Sequence, residues 1–266
     1  MGNKCIFCFL LLFALFSCDG KRTPSTYEIG IDPSWYPLQV PGQEKNILAF
    51  SIELLTTIAK KEDLQLAVMQ RNWDNLLWGL RAEKYPAALS TMRPYTFYQK
   101  EYSFSQAYLM TGPVLVVPKN AKAKNIDDMQ GKEMGVVRGS SAALLLQTVP
   151  GVMLQGYDSI ATTLEALDQQ QVDGAVIEVL MAQDYVRNLY ADTLKVVGLP
   201  MSDEGLRLVS LFHYAPQLME RFDKGLMKMK KSGEYDNLLT KWGLSPDGKP
   251  IADLNHEAES FLKKFL

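Results

Sequence analysis

The chain has 266 residues, enough for one large domain or two small ones. It is 47% hydrophobic and 22% charged, a balance that excludes intrinsic disorder and collagen-like repeats. With 28 basic residues against 30 acidic ones, the net charge of -2 supplies no broad basic field for nucleic acid.

Met1–Ser17 carries one positive charge, Lys4, and then an apolar run from Ile6 to Phe16. The run is too short to cross a bilayer as a helix and fits the hydrophobic region of a secretory signal peptide. Cys18 follows Leu15-Phe16-Ser17 and precedes the polar Asp19-Gly20-Lys21-Arg22. That pattern resembles a bacterial lipoprotein signal, in which the cysteine is acylated and becomes the new N-terminus. The sequence thus predicts a signal peptide over 1–17, a lipid on Cys18 and a polar tether over 18–26. Cys5 and Cys8 leave with the signal. The folded part then holds no thiol, which excludes a disulfide scaffold, cysteine-ligated metal and a cysteine nucleophile. No other apolar run approaches membrane length, so the lipid is expected to be the sole anchor.

Tyr27–Ile31 reads as a strand ended by the turn residues Asp32-Pro33-Ser34. Ile52, Leu55, Ile58 and Ala59 recur at helical spacing and predict a helix over about Phe50–Lys61. Leu64–Met69 is a strand, and Trp73, Leu76, Leu77 and Leu80 mark an amphipathic helix. Pro86–Ser90 is a short buried strand and Val114–Val117 another, ended by Pro118. Met134–Val137 opens a second series, with Arg138-Gly139-Ser140-Ser141 leading into a helix over Ala142–Gln147. Ile160, Leu164 and Leu167 mark a further helical face, followed by the strand Val172–Ile177. Leu77, Leu80 and Ala88-Leu89 map onto Leu164, Leu167 and Ala175-Val176 at one common offset. This echo suggests two lobes of similar build. Helices over Pro216–Lys231, ended by Gly233, and over Ala252–Leu266 close the chain. Strands alternating with helices argue for an α/β fold with parallel-rich sheets.

Several residues stand where such sheets hold ligands, beyond the carboxyl ends of strands. Gly139-Ser140-Ser141, between a strand and a helix, has the makings of an anion site, although as a local pattern plain N-capping is the more ordinary reading. Ser90 and Thr91 with Arg93 could grip a carboxylate, the guanidinium offering two parallel donors. Asp32 and Glu178 each follow a strand and could meet an ammonium or guanidinium group. Trp35 and Trp73 begin the segments after two strands and could wall a side chain. No phosphate-binding glycine motif is present. His213 and His256 have no partners at metal-ligand spacing, so neither a metal nor another cofactor is expected.

These segments together resemble the extracellular solute-binding proteins of family 3, the amino-acid receptors of bacterial ABC importers. Ile29-Gly30-Ile31-Asp32 with Tyr36-Pro37 resembles the first strand and its ligand-facing loop. Ala49-Phe50-Ser51-Ile52-Glu53-Leu54 stands where the family has Gly-Phe-Asp-Ile-Asp-Leu. Trp73-Asp74-Asn75-Leu76-Leu77 resembles the helix start that supplies an aromatic wall. Tyr102–Tyr108 is similar to Phe-Ser-x-x-Tyr, and Ile126–Lys132 to Leu-x-Asp-Leu-x-Gly-Lys. Gly139-Ser140-Ser141 fits the anion loop, Tyr157-Asp158-Ser159 the lead into a helix, and Val172–Val176 the strand after it. Ser232–Leu238 with Lys241-Trp242-Gly243 resembles the C-terminal motif. The resemblance runs from about Tyr27 to Leu244.

The resemblance implies a type II periplasmic-binding-protein fold. Lobe one would comprise 27–112 and 205–244, lobe two 114–203, with two hinge crossovers and a helical extension over 245–266. A free amino acid would lie between the lobes and close the hinge, and the protein would be a monomer serving an ABC permease. By the same resemblance Ser140, Ser141, Ser90 and Thr91 would bind the α-carboxylate and Glu178 the α-ammonium. Trp35 and Trp73 would sandwich the side chain, and Asp32 would meet its polar end. Those two carboxylates favour arginine or glutamine. The family's Ser/Thr-Ile-Thr-x-x-Arg run is altered: Tyr98 stands at the arginine's position and Arg93 comes five residues early. Arg93 is expected to take over the carboxylate. Two other readings are an enzyme of the same fold, similar to cyclohexadienyl dehydratase, and a lipoprotein that has exchanged its solute for a protein partner.

Overall fold

A computed structural model describes residues 26–266. The signal peptide and Cys18 lie outside the described residues. The chain runs β1 (Tyr27–Ile31), α1 (Glu44–Lys61), β2 (Leu66–Gln70), α2 (Trp73–Arg81), β3 (Ala87–Ser90), β4 (Tyr102–Phe104), β5 (Leu109–Met110) and β6 (Pro113–Pro118). It continues with β7 (Glu133–Val137), α3 (Ser141–Leu146), β8 (Met153–Tyr157), α4 (Ile160–Asp168), β9 (Gly174–Glu178), α5 (Val179–Leu189), β10 (Leu194–Val197) and β11 (Gly205–Leu211). Three helices end it: α6 (Pro216–Ser232), α7 (Glu234–Lys241) and α8 (Ile251–Leu262).

The strands form two sheets, β2-β1-β3-β11-β4 with β5 beside β11, and β8-β7-β9-β6-β10. Position by position the two orders are the same. In each, a βαβαβ run gives three parallel strands, and the strand that follows the third in space is antiparallel. That fourth strand comes from a crossover: β11 reaches lobe one after lobe two is complete, and β6 reaches lobe two directly from lobe one. The sheets are mixed for this reason, parallel on one side and antiparallel on the other. The shared offset seen in the sequence reflects this repeat, because α2 and β3 in lobe one occupy the places of α4 and β9 in lobe two.

The two crossovers lie side by side. Thr111 N–H donates to the Glu204 carbonyl at 2.9 Å, and Met201 N–H to Pro113 at 2.8 Å. A Cβ at Gly112 would come within 2.5 Å of Ser202 Oγ and 3.0 Å of its carbonyl oxygen. A Cβ at Gly205 would meet the Leu109 carbonyl at 2.6 Å. Only glycine lets the two chains approach this closely.

α1 begins six residues before the expected Phe50. Its first turn is polar (Glu44, Lys45, Asn46), which hides the helical periodicity, but Asn46 and Ile47 are fully buried. The chain after α7 turns at Gly243 and lays α8 along α1. Ile251, Leu254, Ala258 and Leu262 are buried there, and Phe261 packs edge-on against Trp242 at 5.3 Å. The extension is thus part of lobe one's outer layer. Arg187 of α5 donates to the carbonyls of Gly243 (3.2 Å) and Ser245 (2.9 Å), and so ties lobe two to the start of this extension. Among the described residues no helix is long and apolar enough to cross a membrane.

Candidate functional site: the cleft between the lobes

The strand ends of both sheets face a cavity of about 640 Å³. Lobe one and the hinge contribute Thr91, Arg93, Thr111 and Glu204; lobe two contributes Arg138, Ser140, Ser141, Asp158 and Glu178. The volume lies in the range of small-molecule sites. Apolar wall is supplied by Pro37, Leu38, Ile160 and Met181, with Tyr185 beside them.

Each polar residue is placed by its element. Glu178 is the last residue of β9, and its Oε1 accepts from Ser141 Oγ at 3.3 Å. Ser140 caps α3, its Oγ accepting from Ala143 N–H at 3.1 Å. The capping reading of that loop therefore holds for the Ser140 hydroxyl, while Ser141 presents its own to the cavity. Thr91, just past β3, donates its hydroxyl to the Tyr36 carbonyl at 3.0 Å. Arg93 is half-buried; Nη2 pairs with Glu204 Oε2 at 2.5 Å and Nη1 donates to the Tyr95 hydroxyl at 3.1 Å. Arg138 and Asp158 form an ion pair at the exposed rim of lobe two.

Five of the nine residues named from the sequence thus meet in one cavity: Thr91, Arg93, Ser140, Ser141 and Glu178. The other four do not line it. Trp35 is 1% exposed, with φ at 58° and its indole N–H on the Glu44 carbonyl, so it is a core residue that fixes the loop after β1. Trp73 opens α2 and packs edge-on against Tyr36 at 6.0 Å, and it is not among the residues that line the cavity. The aromatic sandwich expected of this pair is therefore absent. Asp32 is buried and folds back onto Ser34, accepting from its N–H (2.9 Å) and hydroxyl (2.7 Å). Ser90 is buried and accepts from Met92 N–H at 3.1 Å. Both close their own turns.

Sequence reasoning missed Arg138, Asp158 and Glu204. The first two were findable: Arg138 directly follows β7 and Asp158 directly follows β8, the same position at which Thr91 follows β3. Glu204 carried no such signal, because it precedes β11, a crossover strand of antiparallel sense.

The sequence model of the bacterial extracellular solute-binding proteins, family 3, matches residues 27–245. The chain belongs to this family. Among curated relatives of this solute-binding protein, the arginine-binding extracellular protein ArtP of Bacillus subtilis is 24% identical over 242 residues, covering 87% of this chain and 93% of its own. The histidine-binding periplasmic protein of Escherichia coli is 25% identical over 245 residues, covering 88% and 93%. Among solved structures, the unliganded, open L-cystine solute receptor of Neisseria gonorrhoeae superposes with a TM-score of 0.63 at 21% identity, covering 85% of this chain and 94% of that one. The two-lobed α/β fold expected from the sequence is borne out. As a member of a solute-binding family, the protein acts by binding and not by catalysis.

Proposed function

We propose that this solute-binding protein is the receptor of an amino-acid ABC importer and holds a polar amino acid, with arginine favoured over glutamine, in the cleft. One observation carries the reading: a guanidinium from lobe one, Arg93, and a carboxylate from lobe two, Glu178, line the same cavity. An amino acid offers the complementary pair, a carboxylate and an ammonium, and bridges the lobes as it binds. Arg93 holds the α-carboxylate, with Thr91 and the Ser140–Ser141 loop around it, and Glu178 holds the α-ammonium.

Charge in the wall supports arginine. Three carboxylates, Asp158, Glu178 and Glu204, face two guanidiniums, Arg93 and Arg138. The excess negative charge favours a ligand with net positive charge. Relatives that bind arginine and histidine support the same class. The protein is anchored outside the cytoplasmic membrane by a lipid on Cys18, works as a monomer, and delivers its solute to a permease.

A thermal-shift screen of the twenty amino acids tests the reading. A ligand at about 100 times its dissociation constant stabilises the folded state by about 2.7 kcal/mol. Arginine should give the largest rise in melting temperature. No rise with any amino acid would overturn the proposal.

A further inference from the structure

Arg93 does not stand free in the cleft. Its partner, Glu204, is only 14% exposed at the side chain and meets Nη2 at 2.5 Å. Glu204 belongs to the hinge: its carbonyl accepts from Thr111 N–H of the neighbouring crossover, and Gly205 beside it is locked against Leu109. Its backbone is thus fixed, and its carboxylate reaches from the hinge onto a guanidinium that lobe one presents. Nη1 of the same guanidinium is engaged by the Tyr95 hydroxyl. The other guanidinium of the cavity wall, Arg138, is paired with Asp158 on the far lobe.

A second carboxylate therefore cannot take both amino groups of Arg93 while Glu204 remains, since two carboxylates on one group repel each other and Arg93 alone supplies the compensating charge. We propose that Glu204 is an intramolecular stand-in for the ligand's carboxylate. It occupies Arg93 in the empty cleft, and a bound amino acid exchanges with it. The exchange detaches the hinge carboxylate from lobe one, so ligand binding is felt at the crossover itself. Every carboxylate-bearing ligand bears the cost of displacing Glu204, and a cation without a carboxylate bears none. Glu204 is in this sense a positioning and specificity-determining residue. The inference rests on the amino-acid reading of the cleft.

The test is titration calorimetry of the wild type, Glu204→Gln and Arg93→Ala with two probes, arginine and agmatine, which is arginine without its carboxylate. Glu204→Gln should bind arginine about five- to tenfold more tightly, as expected if Arg93 is free in about a tenth to a fifth of molecules. Its affinity for agmatine should not rise, because agmatine has no carboxylate to place on Arg93 and the substitution removes a negative charge from the wall. Arg93→Ala should abolish the preference for arginine. Weaker arginine binding by Glu204→Gln, or an equal change for both probes, would overturn the proposal. A ligand-free measurement separates it from failure of the amino-acid reading. Phenylglyoxal modification of Arg93, followed by mass spectrometry of its peptide, should be several-fold faster in Glu204→Gln than in wild type, with equal melting temperatures checking the fold. Equal modification rates would overturn the proposed hold of Glu204 on Arg93, whatever the cleft binds.

Discussion

Ser141 Oγ stands 3.3 Å from Glu178 Oε1, joining the start of α3 to the end of β9 within the wall of the cleft. The hydroxyl orients the carboxylate without neutralising it. Replacing Glu178 by Gln keeps a hydrogen-bonding group of the same shape and removes the charge. We expect amino-acid affinity to fall by about 1.5–3 kcal/mol, the worth of a charged hydrogen bond, roughly tenfold or more. The unliganded melting temperature should stay within a degree or two. Calorimetry and a melt of the same preparation check both, and unchanged affinity would remove Glu178 from the ammonium site.

Gly112 bears on the hinge. A methyl group there meets Ser202 Oγ at 2.5 Å and Ser202 carbonyl oxygen at 3.0 Å. The hydroxyl can rotate away; the backbone of the other crossover cannot. Gly112→Ala should therefore cost about 1–3 kcal/mol, as overpacking does, read as a lower melting temperature. Gly42, with φ at 81° and nothing within 4 Å of the added Cβ, supplies the comparison for a purely conformational cost.

Asp173, just before β9, accepts from the backbone N–H of Glu133 at 3.0 Å and from Lys132 at 3.1 Å. The backbone donor first, and Lys132 after it, hold its carboxyl below the ordinary value of 3.8. A carboxyl depressed in the folded state stabilises it above the unfolded pKa, and that contribution is lost as pH falls through the lower folded value. Asp173→Ala should cost about 0.5–1.5 kcal/mol near neutral pH, the net worth of the hydrogen bond from Glu133, with the gap narrowing as pH falls below ~4. Melts of both proteins across acidic pH check this; a gap that is constant with pH would count against it.

Leu254 is the most deeply seated leucine of α8, 1% exposed. Truncation to Ala leaves a void beneath α8, beside the turn at Gly243, and should cost about 2–5 kcal/mol. At about 2–4 °C per kcal/mol for a chain near this size, the melting temperature should fall by several degrees. Affinity in the cleft should not change. A small shift would mean that the extension contributes little to lobe one.

How much of this was legible depends on whether a residue's role is local. Strands β1, β3, β7 and β9 are short apolar runs between turn signals, and the sequence places them within one or two residues. β8, β10 and β11 went unseen: β8 (Met-Leu-Gln-Gly-Tyr) is half polar, β10 is a four-residue strand at the edge of its sheet, and β11 follows no helix that would announce a βαβ unit. The motif fragments read around Glu53 and around Lys241-Trp242 turn out to be one feature. Glu53 accepts from the Trp242 indole N–H at 2.8 Å and from Lys241 at 2.7 Å, a relation that no local pattern reveals. In the cleft, residues at strand ends could be read from position alone. Whether a side chain then turns outward, as Glu178 does, or back onto its own turn, as Asp32 does onto Ser34, is decided by contacts two residues away. Trp35 misled because a large aromatic after a strand looks the same whether it walls a ligand or fills a core.

The seating of β11 between β3 and β4 has a consequence for the order in which the molecule can assemble. Lobe two is continuous in sequence and can complete its sheet as soon as residues 113–197 are available. Lobe one cannot: until residues 205–211 emerge, β4 has no partner and β3 keeps an open apolar edge. During vectorial delivery from the N-terminus, the half that is made first must wait for the half that is made second. A chain stalled before Gly205 would hold a finished lobe two and an unfinished, sticky lobe one.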